Sequence, residues 1–133
     1  MRRTAVSDRR SDRVERNRHE VVVLYHPDPG NRRCLREIDA GMEEEGVPFR
    51  IEEAVGGSAG ELAYAAAQAS NLDVGVGVDA VGNICVHHAK LPSDVPALVG
   101  SSLTARAMGH NAARLVSGIP FKNDDTSPEH GAR

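Results

Sequence analysis

The chain has 133 residues, 40% of them hydrophobic and 26% charged, with two cysteines and no tryptophan; this suits one compact domain and excludes a chain disordered throughout. Seven arginines against Asp8, Asp12 and Glu15 give the first nineteen residues a net charge of +4, which leaves −7 on the rest of a chain whose total is −3. An acidic body whose basic residues gather in one end, with no aromatic among them, excludes the basic folded face of a nucleic-acid reader.

Residues 1–19 contain almost nothing apolar and are expected to be a disordered, arginine-rich tail. Residues 122–133 have the same polar, Pro- and Gly-containing character and are expected to fray, so a single domain over 20–121 is left to fold. It opens with Glu20–Tyr25, a β-branched run suited to a strand buried on both faces, and His26-Pro-Asp-Pro-Gly30 forces a turn after it. From Asn31 the residues Leu35, Ile38 and Met42 recur at helical spacing, and Gly46 followed by Val47-Pro48 ends that helix. Phe49–Glu53 reads as a second strand. Ser58 and Glu61 have the spacing of a capping box that opens an alanine-rich helix to about Ser70.

Asp73–Asp79 is a third strand, in which Gly75 and Gly77 alternate as they would to admit a close helix. Ile84–His88 follows a short turn and reads as its hairpin partner. A short strand near Ala97–Gly100 leads into a last helix over Ser101–Ser117, with Leu103, Met108, Ala112, Leu115 and Val116 expected to face inward. Strands alternating with helices in this way predict an α/β fold: a small flavodoxin-like sheet, parallel or mixed, with helices on both faces. Such sheets bind ligands at the carboxyl ends of their strands, here the loops after Tyr25, Glu53, Asp79 and Gly100.

The chemistry-bearing patterns in those loops are incomplete. Gly56, Gly57 and Gly60 precede a helix but lack a phosphate-loop motif, and Glu61 stands where an anion would lie. Asp28 and Asp79 resemble part of a phospho-acceptor pocket, without its second acid or its lysine. Cys85 and His87 share a strand face, yet two ligands without a third make no zinc site, and His88 points the other way. Neither cysteine belongs to a CxxC pair, so both are expected to remain thiols. No catalytic constellation is found. No apolar run reaches the ~18 residues of a membrane span, and the terminal arginines are not followed by a signal-peptide core, so a cytoplasmic location is expected.

One segment breaks local rules: Glu43, Glu44 and Glu45 end a helix, where the macrodipole already favours cations. At about 100° per residue Glu45 lies at the edge of the apolar stripe, while Glu44 projects about 140° from it. Glu44 is thus expected to point outward, over Glu37 and beside Arg33, either free to meet a partner or a cation or as part of a solvated charged face.

Two stretches, Gly41-Met-Glu-Glu-Glu-Gly-Val-Pro-Phe-Arg50 and Gly109-His-Asn-Ala-Ala-Arg-Leu-Val-Ser-Gly-Ile-Pro-Phe-Lys122, resemble the small subunit of the diol and glycerol dehydratase reactivase. Asp73-Val-Gly-Val-Gly-Val and His88-Ala-Lys-Leu-Pro92 match the same family's central strand and the Leu-Pro after its hairpin. The likeness runs from about Glu20 to Lys122, and residues 1–19 lie outside the family pattern. It implies a non-catalytic subunit, similar to the dehydratase medium subunit, that helps rescue dehydratases whose adenosylcobalamin has been damaged. In that family rescue proceeds by subunit exchange with a large actin- and Hsp70-like ATPase chain, which carries ATP or ADP, and with the dehydratase large subunit. Two large and two small chains are implied. For location, association with a bacterial microcompartment stands as an alternative to free cytoplasm. The resemblance also implies that a carboxylate before Gly-Val-Pro completes a shared Mg²⁺ site at the boundary with the large chain; Glu44 is the matching residue and Glu43 the fallback. A medium subunit of the dehydratase itself is the competing reading. A free-standing flavodoxin-like binder is a third, disfavoured by the scarcity of aromatic residues for flavin stacking.

Overall fold

The computed structural model describes residues 18–118. The expected tails 1–19 and 122–133 lie outside the described residues except for Arg18 and His19. Five strands, β1 (Val21–Tyr25), β2 (Phe49–Glu53), β3 (Val74–Val78), β4 (Asn83–His88) and β5 (Leu98–Ser101), form one sheet in the order β2-β1-β3-β4-β5. The first three are mutually parallel, whereas β4 runs antiparallel to both β3 and β5, so the sheet is mixed and β3–β4 is a hairpin as the sequence predicts.

Three α-helices cover it: α1 (Arg32–Glu45), α2 (Ala59–Ala69) and α3 (Ala105–Ser117). Valines 74, 76 and 78 of β3 point to the face shared by α1 and α3, where they form one core with Val21, Val23, Ile38, Met42, Ile84, Val86, Met108 and Ala112. The alternate positions of β3, Gly75 and Gly77, face α2. A Cβ on Gly75 would run into the backbone of Ala66 and Ala67, and one on Gly77 into that of Ala59 and Ala63. All three valines 21–23 of β1 are fully buried, because helices lie over both sides of that strand.

Local signals fix the element ends. The αL conformation of Gly46 closes α1, with its amide on the Glu43 carbonyl at 3.0 Å. Ser58 and Glu61 form the predicted capping box, Glu61 N donating to Ser58 Oγ at 3.1 Å and Ser58 N to Glu61 Oε1 at 3.0 Å. The last helix departs from the sequence expectation. Its first turn, Ser102–Thr104, is a 3₁₀ turn capped by Ser101, and α3 begins only at Ala105. The tighter turn rotates Leu103 out of the predicted inner stripe, leaving it 94% exposed. Met108 and Ala112 are buried as expected, and Leu115 and Val116 pack against the core from its edge.

Candidate functional site

The crevice where open α/β sheets usually bind ligands lies between the carboxyl ends of β1 and β3, the strands at which the chain reverses its direction of winding. Here a single buried side chain bridges the two loops. Asn31, buried at the start of α1, donates through Nδ2 to the carbonyl of His26 at 3.0 Å and to that of Asp79 at 2.9 Å, tying the two loops together. The two acids that resembled a phospho-acceptor pocket are consumed by local structure. Asp28 accepts from Gly30 N at 2.8 Å, and Asp79 accepts from Val81 N, Asn83 N and Asn83 Nδ2 at 2.8–3.0 Å. Burial opposes ionisation of Asp79, but those hydrogen bonds outweigh it and hold the carboxyl below its usual range.

Cys85 and His87 share the α2 face of β4, as expected, but each is occupied in packing. Cys85 lies against Ala59 and Ala63. The His87 ring is fully buried, meets Tyr64 edge-on with centroids 5.1 Å apart, and has its nitrogens 3.1 Å from the His88 carbonyl and 3.3 Å from that of Ser93. Both cysteines are free thiols, as predicted. Among the described residues no group of three or more His, Cys, Asp and Glu side chains is placed to hold a metal. No helix among them is long and apolar enough to cross a membrane.

Charge is concentrated instead at the crossing of α1 and α3. Gly41 and Gly109 sit at the crossing point, where a Cβ on Gly41 would meet the backbone of Arg106 and His110, and one on Gly109 that of Ile38. The backbones therefore touch, and the carboxyl-terminal turn of α1 is laid along Arg106, His110 and Arg114 of α3. Arg106 binds Glu44 through Nη2 on Oε2 and lies 3.5 Å from Glu37 through Nη1. His110 bridges the glutamates, with Nε2 2.6 Å from Glu44 Oε1 and Nδ1 2.7 Å from Glu45 Oε2. Arg114 Nε donates to Glu45 Oε2 at 2.9 Å.

Hydrogen bonding by Arg106, and secondarily by His110, holds the Glu44 carboxyl below the usual carboxylate range against some loss of solvent. Glu45 is lowered likewise, first by His110 and then by Arg114. The groups that offset Glu44 and Glu45 at the helix C-terminus thus come from the neighbouring helix, whereas Glu43 has no partner there among the described residues. This corrects the expectation for Glu44. It is exposed and turned away from the sheet, but it is not free, because the close crossing brings Arg106 and His110, rather than Arg33, onto its oxygens. Arg106, His110 and Arg114 were missed as site residues, although their spacing of four marks one ridge of α3.

The two stretches that meet at this crossing are those that carried the family resemblance, and the comparison with known proteins agrees. The dehydratase medium subunit family matches residues 20–122. The chain belongs to that family. Within it, the small subunit of a diol dehydratase-reactivating factor from Klebsiella michiganensis is 40% identical over 92 residues, covering 66% of this chain and 73% of the relative. A glycerol dehydratase reactivase structure superposes with a TM-score of 0.76 at 34% identity, over 80% of this chain and 98% of the other. A diol dehydratase-reactivating factor complexed with ADP and Mg²⁺ gives a TM-score of 0.71 at 34% identity, over 80% of this chain and 100% of the other. The relatives it resembles are thus small subunits of dehydratase-reactivating factors, a designation that implies a larger partner subunit in those proteins.

Proposed function

We propose that this chain is the exchangeable small subunit of a factor that restores an inactivated adenosylcobalamin-dependent diol or glycerol dehydratase. In this reading it performs no reaction. It takes the place of the dehydratase medium subunit against a large chain, opening the cofactor pocket so that damaged cobalamin leaves, while nucleotide turnover belongs to the large ATPase-like reactivase subunit. The observation that carries the reading is the family match over the whole described fold. The family description would equally fit a dehydratase medium subunit, but the relatives named above are reactivating-factor subunits.

Mg²⁺ in the related factor raises the question of which residues here fit such an ion. The chain offers exposed carboxylates and no preassembled group of three ligands among the described residues, which suits a single donor to a site completed by another chain. Glu44 is the proposed donor and Glu43 the fallback; the ion would supply charge neutralisation between the subunits. Mixing the full chain with a large reactivating-factor subunit and weighing the product by native mass spectrometry tests the assignment. A stable complex containing equal numbers of both chains, two of each, is expected. A chain that stays alone and binds cobalamin tightly would overturn it.

A further inference from the structure

Glu44 is already occupied in the isolated subunit, and each member of its network has a second partner. Arg106 also faces Glu37, at 3.5 Å. His110 also holds Glu45, at 2.7 Å, and Glu45 also holds Arg114, at 2.9 Å. Removing Glu44 from this arrangement therefore strands no charge. Arg106 keeps an acid, and His110 keeps an acceptor. Conversely, a divalent cation drawn onto the Glu44 oxygens would be pressed against a guanidinium and an imidazole on the same carboxylate, so the cation and Arg106 compete for it.

We propose that Arg106 is a latch on Glu44: it neutralises the carboxylate while the subunit is free and gives it up to the interface cation on docking, moving wholly onto Glu37. This rests on the reading of Glu44 as the shared ligand and adds how that ligand is regulated. The latch makes docking an exchange of partners rather than a gain of a contact. Neither the free nor the docked subunit carries an unpaired Glu44, and the affinity for the large chain is held down to a level at which the subunit can leave again. An exposed ion pair is a weak competitor, so the effect is modest in size and definite in sign.

The test is calorimetric titration of the full chain into the large reactivating-factor subunit across a MgCl₂ series, with melting curves to verify the fold. Arg106→Gln is expected to lower the Mg²⁺ concentration for half-maximal association about two- to fivefold, and Arg106→Lys to return it close to the unmodified value. Glu44→Gln serves as the arm for the underlying reading and is expected to abolish the Mg²⁺ dependence. If Glu44→Gln does so while Arg106→Gln leaves the midpoint unchanged or raises it, the latch is overturned and the ligand assignment stands. If the unmodified chain associates without regard to Mg²⁺, both fall.

Discussion

Gly41 of α1 and Gly109 of α3 meet backbone to backbone, with no side chain of their own between the two helices. All the charge pairing of Glu44 and Glu45 depends on that approach, because it sets the α1 carboxyl end within reach of Arg106, His110 and Arg114.

Gly41→Ala should therefore destabilise the protein by about 1–3 kcal/mol through overpacking, although alanine in an unobstructed helix would stabilise it by about 1 kcal/mol. Urea denaturation reads the sign directly. A stabilised variant would mean that the helices do not touch there.

Asp39, on the flank of α1, has a buried Oδ1 without a partner, and its carboxyl is pushed up to about 6 by burial first and by the neighbouring Glu43 second. The folded state thus binds the proton more tightly than the unfolded chain, where the carboxyl titrates near 3.8. Its contribution to stability is complete below that value and is lost as the pH rises to about 6. Asp39→Asn should accordingly raise stability at pH 7, by up to about 3 kcal/mol less the share that solvent screens, and should change little below pH 4. Melting temperatures across pH 3–8 would show the two profiles converging at the acid end.

Asn31→Ala removes both bonds that tie the loops after β1 and β3, leaving the His26 and Asp79 carbonyls without that donor. A loss of about 1–3 kcal/mol is expected. Amide hydrogen exchange should accelerate in residues 26–31 and 79–83 while the α1–α3 crossing stays protected. Uniform acceleration would show that the stitch is not local.

Of the two exposed glutamates, Glu44 is held by α3, whereas Glu43 lies beside Asp39. Glu44→Gln should weaken Mg²⁺-dependent association with the large subunit about tenfold or more and leave the melting temperature nearly unchanged, since exposed ion pairs contribute little to stability. Glu43→Gln should leave association intact. The reverse pattern would transfer the ligand role to Glu43.

Burial pushes the Cys34 thiol up to about 11, so it should resist iodoacetamide at pH 8 in the folded protein and react once the protein is unfolded. Mass spectrometry of labelled peptides distinguishes Cys34 from Cys85. Rapid labelling of Cys34 in native buffer would contradict its place in the core.

Much of the fold was legible because period and punctuation agree: the β1 valines, the Ser58–Glu61 box, Gly46 and the alternating glycines of β3 each predict what is found. Leu103 departs from the helical spacing because the hydroxyls of Ser101 and Thr104 build a tighter turn there, which periodicity of apolar residues does not register. The candidate site was half legible. A helical wheel gives the direction of Glu44 but not what occupies that direction, which depends on how closely α3 crosses. The spacing of Arg106, His110 and Arg114 opposite Glu37, Glu44 and Glu45 held that information, and it becomes readable only when Gly41 and Gly109 are paired.

The glycines of β3 carry a different consequence, on the other side of the sheet. Because α2 rests on bare strand backbone, Ala63, Ala66 and Ala67 have no slack beneath them. These small, chemically plain positions should tolerate substitution less well than the glutamates on the surface: an added methyl group would lift the whole helix, whereas a changed charge would disturb only its neighbours.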